Sequence, residues 1–387
     1  MKATKIALLT AVMLIGSLLM TACWNYKEVD QFEIVAGVAV DKEQNELYRI
    51  TAEMVKIGGE KDTPATSKLI MGEGKTIFEA ARNMIAVSGN RLYWAHATVL
   101  ILSKQVAAEG IAKVLDWYTR DAETRENVWL LVASGESARE IFEKPLDVKE
   151  IKSFKLADTI KNEVSLSKAP AKDVLEYSGE SRDKGSSTSL AAVSLKPIEG
   201  QPQPQISGAA IIKDDKLAGF ISGDEARALD YVADQVQGGI LVVELHEQEE
   251  PTNISLEIFK NRTEVKPVVN GKEITMNIMI ESKIAIDEIS GPGDFIEEDR
   301  VTMLEEMAAE KLKGDIEALV QKMKSEYDAD IFGFGSKLRE NEFKVWESVK
   351  DDWNNVFKTV KLSFDIKMHI KNSAIVNHSY REVSSES

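Results

Sequence analysis

The chain has 387 residues, 43% hydrophobic and 29% charged, a globular composition with too much apolar material for a disordered chain. Acidic residues outnumber basic ones by 64 to 48, for a formal net charge of -16, and no segregated basic patch offsets this; general nucleic-acid binding is disfavoured. One cysteine and four scattered histidines, His96, His246, His369 and His378, exclude an internal disulfide and the Cys/His clusters of zinc sites.

Lys2 and Lys5 precede an apolar stretch, Ile6 to Met20, which as a helix would rise about 22 Å, short of the ~30 Å hydrocarbon core. With small residues at Thr21 and Ala22 just ahead of Cys23, this reads as a cleaved leader over residues 1–22. The pattern matches a bacterial lipobox, with Met20 in place of the commoner leucine, and makes Cys23 the expected lipid-attachment residue. An uncleaved N-terminal anchor and a soluble secreted chain with a free thiol are the alternatives. Lipidation at Cys23 would leave 365 residues with 46 basic against 64 acidic side chains, a formal -18. Two or three acyl chains suffice for stable anchoring. No later segment reaches 18 consecutive apolar residues.

The size implies more than one core, and three segments are expected: 23–145, 146–237 and 238–387. In the first, Phe32–Val40 and Leu47–Ile57 form a predicted hairpin, with a short strand near Lys68–Met71. Thr76 and Glu79 have capping-box spacing ahead of a helix, Val99–Leu102 and Val128–Ala133 are buried-type strands, and Val106–Thr119 reads as one helix between them. Ser137 and Glu140 should cap a further short helix. In the second segment, helical material is expected at Ser153–Asn162 and Ala171–Tyr177. Strands follow at Ser189–Leu195 and Ile206–Lys213, separated by Pro197, Pro202 and Pro204, then Leu217–Ile221 and a helix capped by Ser222 and Glu225. The third segment carries predicted strands at Ile240–Leu245, Asn253–Phe259 and Ile274–Ile286, a long helix Glu297–Tyr327, a second helix Lys337–Phe357 and a closing strand Val360–Ile370. The fold class expected is α+β: three consecutive small domains of mixed and antiparallel sheets covered by helices.

Little in the chain suggests catalysis. Gly72-Glu73-Gly74-Lys75-Thr76 resembles the end of a P-loop, but Leu69 stands where the first glycine is needed, and a turn into a capped helix explains the run. Trp94 and His96 could face a ligand, although a structural role for a lone histidine before a buried strand is the stronger reading. The acidic runs Glu297-Glu298-Asp299 and Glu305-Glu306 fit a solvated helix face better than a glycosidase pair. Phe343, Trp346, Val349, Trp353 and Phe357 recur at helical spacing, as core by default or as a partner-binding face. No nucleophile elbow is present. A non-enzyme without metal or cofactor is expected.

The run Cys23-Trp24-Asn25-Tyr26-Lys27-Glu28-Val29-Asp30 resembles the start of the Ger(x)C spore germination lipoproteins, with Asn25 where the family usually has an acid. The likeness continues through Gly37–Asp41, Gly74-Lys75-Thr76 with Glu79-Ala80, Leu92–His96, Ala107–Ile111, Arg120–Arg125, Gly208–Ala210, Asp215–Gly219 and Asp330–Gly335, and on to Trp346 and Trp353. The resemblance implies a three-domain, lipid-anchored C subunit of a nutrient germinant receptor on the outer face of the spore inner membrane. It implies the polytopic A and B subunits of that receptor as partners, and no catalytic activity. Only lipid attachment at Cys23 carries over at residue level. A lipid-anchored solute-binding protein of a transporter is the rival reading, disfavoured because a hairpin-rich chain does not read as two lobes of repeated β-α-β units.

Overall fold

A computed structural model of the chain describes residues 3–6, 10, 32–56, 65–143, 150–181, 187–246, 251–290 and 298–371. Cys23 and most of the leader lie outside these residues.

The first strands, β1 (Phe32–Lys42), β2 (Tyr48–Lys56) and β3 (Thr66–Gly74), form an antiparallel meander. The chain then alternates helices with the short parallel strands β5 (Val99–Leu102) and β6 (Trp129–Ala133), after a three-residue β4 (Arg91–Tyr93) that pairs with β1. The helices are α1 (Ile77–Ser88), α2 (Lys104–Glu109), α3 (Ala112–Arg120), α4 (Glu140–Glu143), α5 (Lys152–Asn162) and α6 (Val174–Glu180). Then come β7 (Ser187–Ile198), β8 (Gln201–Lys213) and β9 (Lys216–Ile221), antiparallel to one another, with β7 parallel to β6. Together they make one mixed nine-stranded sheet in the order β3-β2-β1-β5-β6-β7-β8-β9, with β4 as the ninth strand beside β1, off this path. The boundary expected between residues 145 and 146 therefore does not divide the structure: Leu131–Ala133 pair directly with Ala191–Val193 within one sheet.

Both faces of this sheet are covered, and strand alternation sorts side chains between them. Leu100, Leu102, Leu130 and Val132 pack under α1, α2, α3 and α6. Val99, Ile101, Leu131 and Ala133 pack against α4 and α5.

The second sheet is four-stranded, in the order β10-β11-β12-β13: β10 (Ile240–Leu245), β11 (Thr252–Asn270), β12 (Glu273–Ser290) and β13 (Lys361–Ile370). Strand β13 runs parallel to β12, which requires the crossover supplied by α8 (Glu298–Lys322), a π-turn at Met323–Tyr327, α9 (Phe334–Asn341), α10 (Phe343–Val349) and α11 (Trp353–Thr359). Between the sheets lies α7 (Gly223–Val232), entered through the full Ser222/Glu225 capping box and buried from Ala226 to Val232. It packs with Ala209, Ile211 and Ile221 of the first sheet and with the apolar face of the second. Strand β8 thus serves two cores, since Ala210 and Ile212 point the other way.

Several elements differ from the sequence reading for identifiable reasons. The helix expected over Val106–Thr119 is two, broken at Gly110, whose φ of 130° is closed to other residues without strain. The strands expected at Asn253–Phe259 and Ile274–Ile286 are one long hairpin, because Arg262, Glu264 and Lys266 point outward while Thr263, Val265 and Pro267 are buried between them. The prolines at 197, 202 and 204 do not separate strands: Pro197 pairs with Pro202 beside a two-residue turn, Glu199-Gly200, with φ of 49° and 77°. The helix expected over Lys337–Phe357 is three short ones. Its apolar stripe divides accordingly, with Trp353 and Phe357 in the core and Phe343 61% exposed.

Candidate functional site

Cys23 lies outside the described residues, so its surroundings enter no structural argument. Glu297 and His378 also lie outside them. Gly72 and Gly74 lie where α1 presses on β3: a Cβ there would come within 2.2 Å of the Ala80 carbonyl oxygen and 2.5 Å of the Ala80 nitrogen, respectively. The Lys75 N–H donates to Glu79 Oε2 at 2.7 Å, and the Glu79 N–H to Thr76 Oγ1 at 3.1 Å. A carboxylate of the chain itself thus occupies the donor at this helix start, and close helix–strand packing accounts for the glycines. Trp94 is core, edge-on to Trp117 at 5.6 Å. His96 is exposed beside Tyr93, a surface residue and not the hydrogen-bonded structural one expected. Glu305 accepts a hydrogen bond from the Ile370 N–H at 2.7 Å, so one member of the acidic pairs ties β13 to α8.

The joints between elements are made by buried and partly buried carboxylates that cap helices, most of them from far away in sequence. Glu53 on β2 accepts from the N–H groups of Lys152 and Ser153, at 3.0 and 2.7 Å, and from the Ser153 hydroxyl at 2.6 Å. Helix α5 has no side-chain cap of its own, so a strand residue a hundred positions earlier satisfies its orphan donors. Asp41 does the same before α4, accepting from Ala138 N–H, Arg139 N–H and the Ser137 hydroxyl, so Ser137 serves as a donor and not as the expected cap. Asp215, in the β8–β9 turn, accepts from the Ala112 N–H at the start of α3. Asp330 accepts from Phe334 N–H (3.1 Å), Gly335 N–H (2.8 Å) and Trp353 Nε1–H (3.0 Å), closing the start of α9 onto α11. Burial raises the pKa of Asp41, Asp215 and Asp330, and these hydrogen bonds oppose it.

Between the two sheets lies a cleft of about 970 Å³. Its walls come from the turn after α5 (Glu163, Val164, Ser167), from α6 and β6 (Glu176, Trp129), from α7 (Leu229, Asp230), and from the turn and helices of the crossover (Asp330, Phe332, Trp346). The two bodies are tied behind it by the Ser167 hydroxyl, which donates to the Gly238 carbonyl at 2.9 Å. Asp230 is 7% exposed; its backbone carbonyl accepts from the Gln235 N–H at 2.8 Å, but its carboxylate accepts no hydrogen bond from any described residue. Desolvation pushes it up to about 7; Lys172 opposes that rise and Glu163 adds to it. Glu163, itself buried, is engaged by the Lys168 N–H at 2.8 Å. Lys172 is held by Glu180 and Thr188. No group of three or more potential metal ligands gathers among the described residues. None of their helices is long and apolar enough to cross a membrane. Sequence reasoning passed over Asp230 because an acid within a capped helix looks solvated until the second sheet covers it.

Known proteins align with this chain almost from end to end. Residues 25–195 match the spore germination protein N-terminal domain family, and residues 207–374 match the spore germination B3/GerAC-like C-terminal family. The chain belongs to the Ger(x)C family of spore germination proteins. Spore germination protein B3 of Bacillus subtilis (strain 168) is 26% identical over 376 residues, covering 95% of this chain and 98% of that protein. Spore germination protein KC of the same organism is 22% identical over 390 residues, covering 93% of each. The crystal structure of the GerBC protein matches with a TM-score of 0.56 at 23% identity, over 87% of this chain and 97% of that one, and shows the same α+β fold. Several stretches that carry the Ger(x)C likeness are the joints described above. Asp41, Asp215 and Asp330 cap helices, and Gly74 lets α1 approach the sheet. Residues that carry the likeness thus include ones that hold this architecture together.

Proposed function

We propose that the chain is a non-enzymatic, lipid-anchored subunit of a spore nutrient germinant receptor. In this reading it sits on the outer face of the spore inner membrane and assembles with the polytopic A and B subunits. The observation that carries the reading is the end-to-end alignment with spore germination proteins B3, KC and A3 of Bacillus subtilis. The anchor rests on Cys23, placed after an apolar leader with Thr21 and Ala22 before it. An acidic body gains no electrostatic attraction to an anionic leaflet, so acyl chains must supply the membrane affinity. In this reading the subunit works through contacts. Coupling a nutrient signal to the membrane subunits requires that it touch them differently in two states.

Two measurements test this. Intact mass of the protein extracted from spore membranes should show diacylglycerol on Cys23, and Cys23→Ala should lose that mass together with most of the nutrient-triggered germination. An unmodified Cys23 in the wild type would end the anchor reading. Affinity capture from spore membranes should recover two polytopic proteins; recovery of a transporter permease in their place would favour a solute-binding role.

A further inference from the structure

The cleft between the sheets contains a feature that folding alone does not explain. The other buried aspartates described above, Asp41 and Asp330, meet N–H donors, as buried carboxylates ordinarily must. Asp230 is more than nine-tenths buried, lines the cleft, and its carboxylate meets no donor among the described residues. The nearby cation that acts on it, Lys172, is already held by Glu180 and Thr188. Glu163 adds a second carboxyl to the same wall. Water reaches this carboxylate through the cleft, and a ligand that replaced that water would match it with a positive charge and N–H groups of its own. At about 970 Å³ the space is of the size that holds a small organic molecule, and Trp129, Val164 and Trp346 offer apolar surface along it.

We propose that this cleft is a binding site for a small organic primary ammonium compound, with Asp230 accepting the ammonium and the aromatic and aliphatic wall holding its carbon skeleton. A primary ammonium supplies three donors and a full charge, and a charge-assisted hydrogen bond in a partly dry cleft is among the stronger single contacts available. An inorganic cation is a poorer match, since the described residues gather no set of three ligands. The site lies between the nine-stranded and four-stranded sheets, so its occupancy would bear on how the two bodies are held together. The proposal does not depend on the anchor or on the membrane subunits.

The test is titration calorimetry of the full-length protein in detergent at pH 8, with 2-phenylethylammonium chloride as probe and 2-phenylethanol as its neutral isostere. Saturable binding of the ammonium is expected, with the alcohol at least about tenfold weaker. Asp230→Asn should weaken ammonium binding about tenfold or more by removing the charge. Ala233→Trp, at an exposed position on the same wall one turn from Asp230, should block the cleft while leaving the melting temperature near that of the wild type. No saturable binding, equal affinity for the alcohol, or unchanged affinity in Ala233→Trp would each overturn the proposal. If Asp230→Asn does not fold, the alcohol comparison and Ala233→Trp decide.

Discussion

Asp330 and Asp230 line the same cleft, are buried to the same degree, and are opposites in function. Asp330 accepts three hydrogen bonds, from the first turn of α9 and from the Trp353 indole, and locks the crossover onto the second sheet. Asp230 sits on a helix with a complete capping box of its own, and its carboxylate accepts none from the described residues. A buried carboxylate with three donors is a joint; one with none is a local instability waiting for a ligand. The difference separates what holds this protein together from what it has available for binding.

The largest expected effect comes from breaking the joint. Asp330→Ala strands the Phe334 and Gly335 N–H groups and the Trp353 indole N–H, each worth ~1–3 kcal/mol when left unsatisfied, so a loss of about 4 kcal/mol should appear in denaturant titration. A loss below about 1 kcal/mol would mean that water replaces the carboxylate and that the joint is not what closes the crossover. Glu53→Ala, which strands two N–H groups and a hydroxyl at the start of α5, should cost about 3 kcal/mol and loosen α5 first, seen as faster amide exchange in 152–156.

Asp230→Asn should have the opposite sign. A carboxyl raised to about 7 when folded binds its proton more tightly than in the unfolded chain, so it contributes a loss of stability as pH rises from about 4 to about 7, level above that. The variant should therefore match the wild type near pH 4 and exceed it by about 2 kcal/mol at pH 8, below the full linkage value because water reaches the cleft. A wild type more stable than the variant at pH 8 would show that Asp230 has a donor after all and would erase the contrast. The smallest effect belongs to Ser222→Ala, which removes the cap of α7 and should cost about 1 kcal/mol with no change in pH profile.

Local chemistry was readable wherever the physics is local. The Thr76 and Ser222 caps, the buried runs Val99–Leu102 and Leu130–Ala133, and the strand Ile240–Leu245 follow from spacing and alternation alone. The capping box at Asp173 and Glu176 was equally local, but it starts its helix three residues later than the apolar pattern suggested. What spacing could not show was the long charged half of β11, because a strand whose outer face is solvated carries only every second residue as signal. Nor could it show that one helical stripe would split, leaving Phe343 outside and Trp353 within.

By itself the sequence determined the α+β class, most of the elements, the family and the expectation at Cys23, because periodicity, capping and ordered motifs are written along the chain. Only the tertiary structure decided that the first two expected segments share one sheet, that Glu53, Asp41 and Asp330 are helix caps, and that Asp230 is buried beside an open cleft. A carboxylate's meaning depends on which donors reach it, and in this protein those donors are in several cases a hundred residues away.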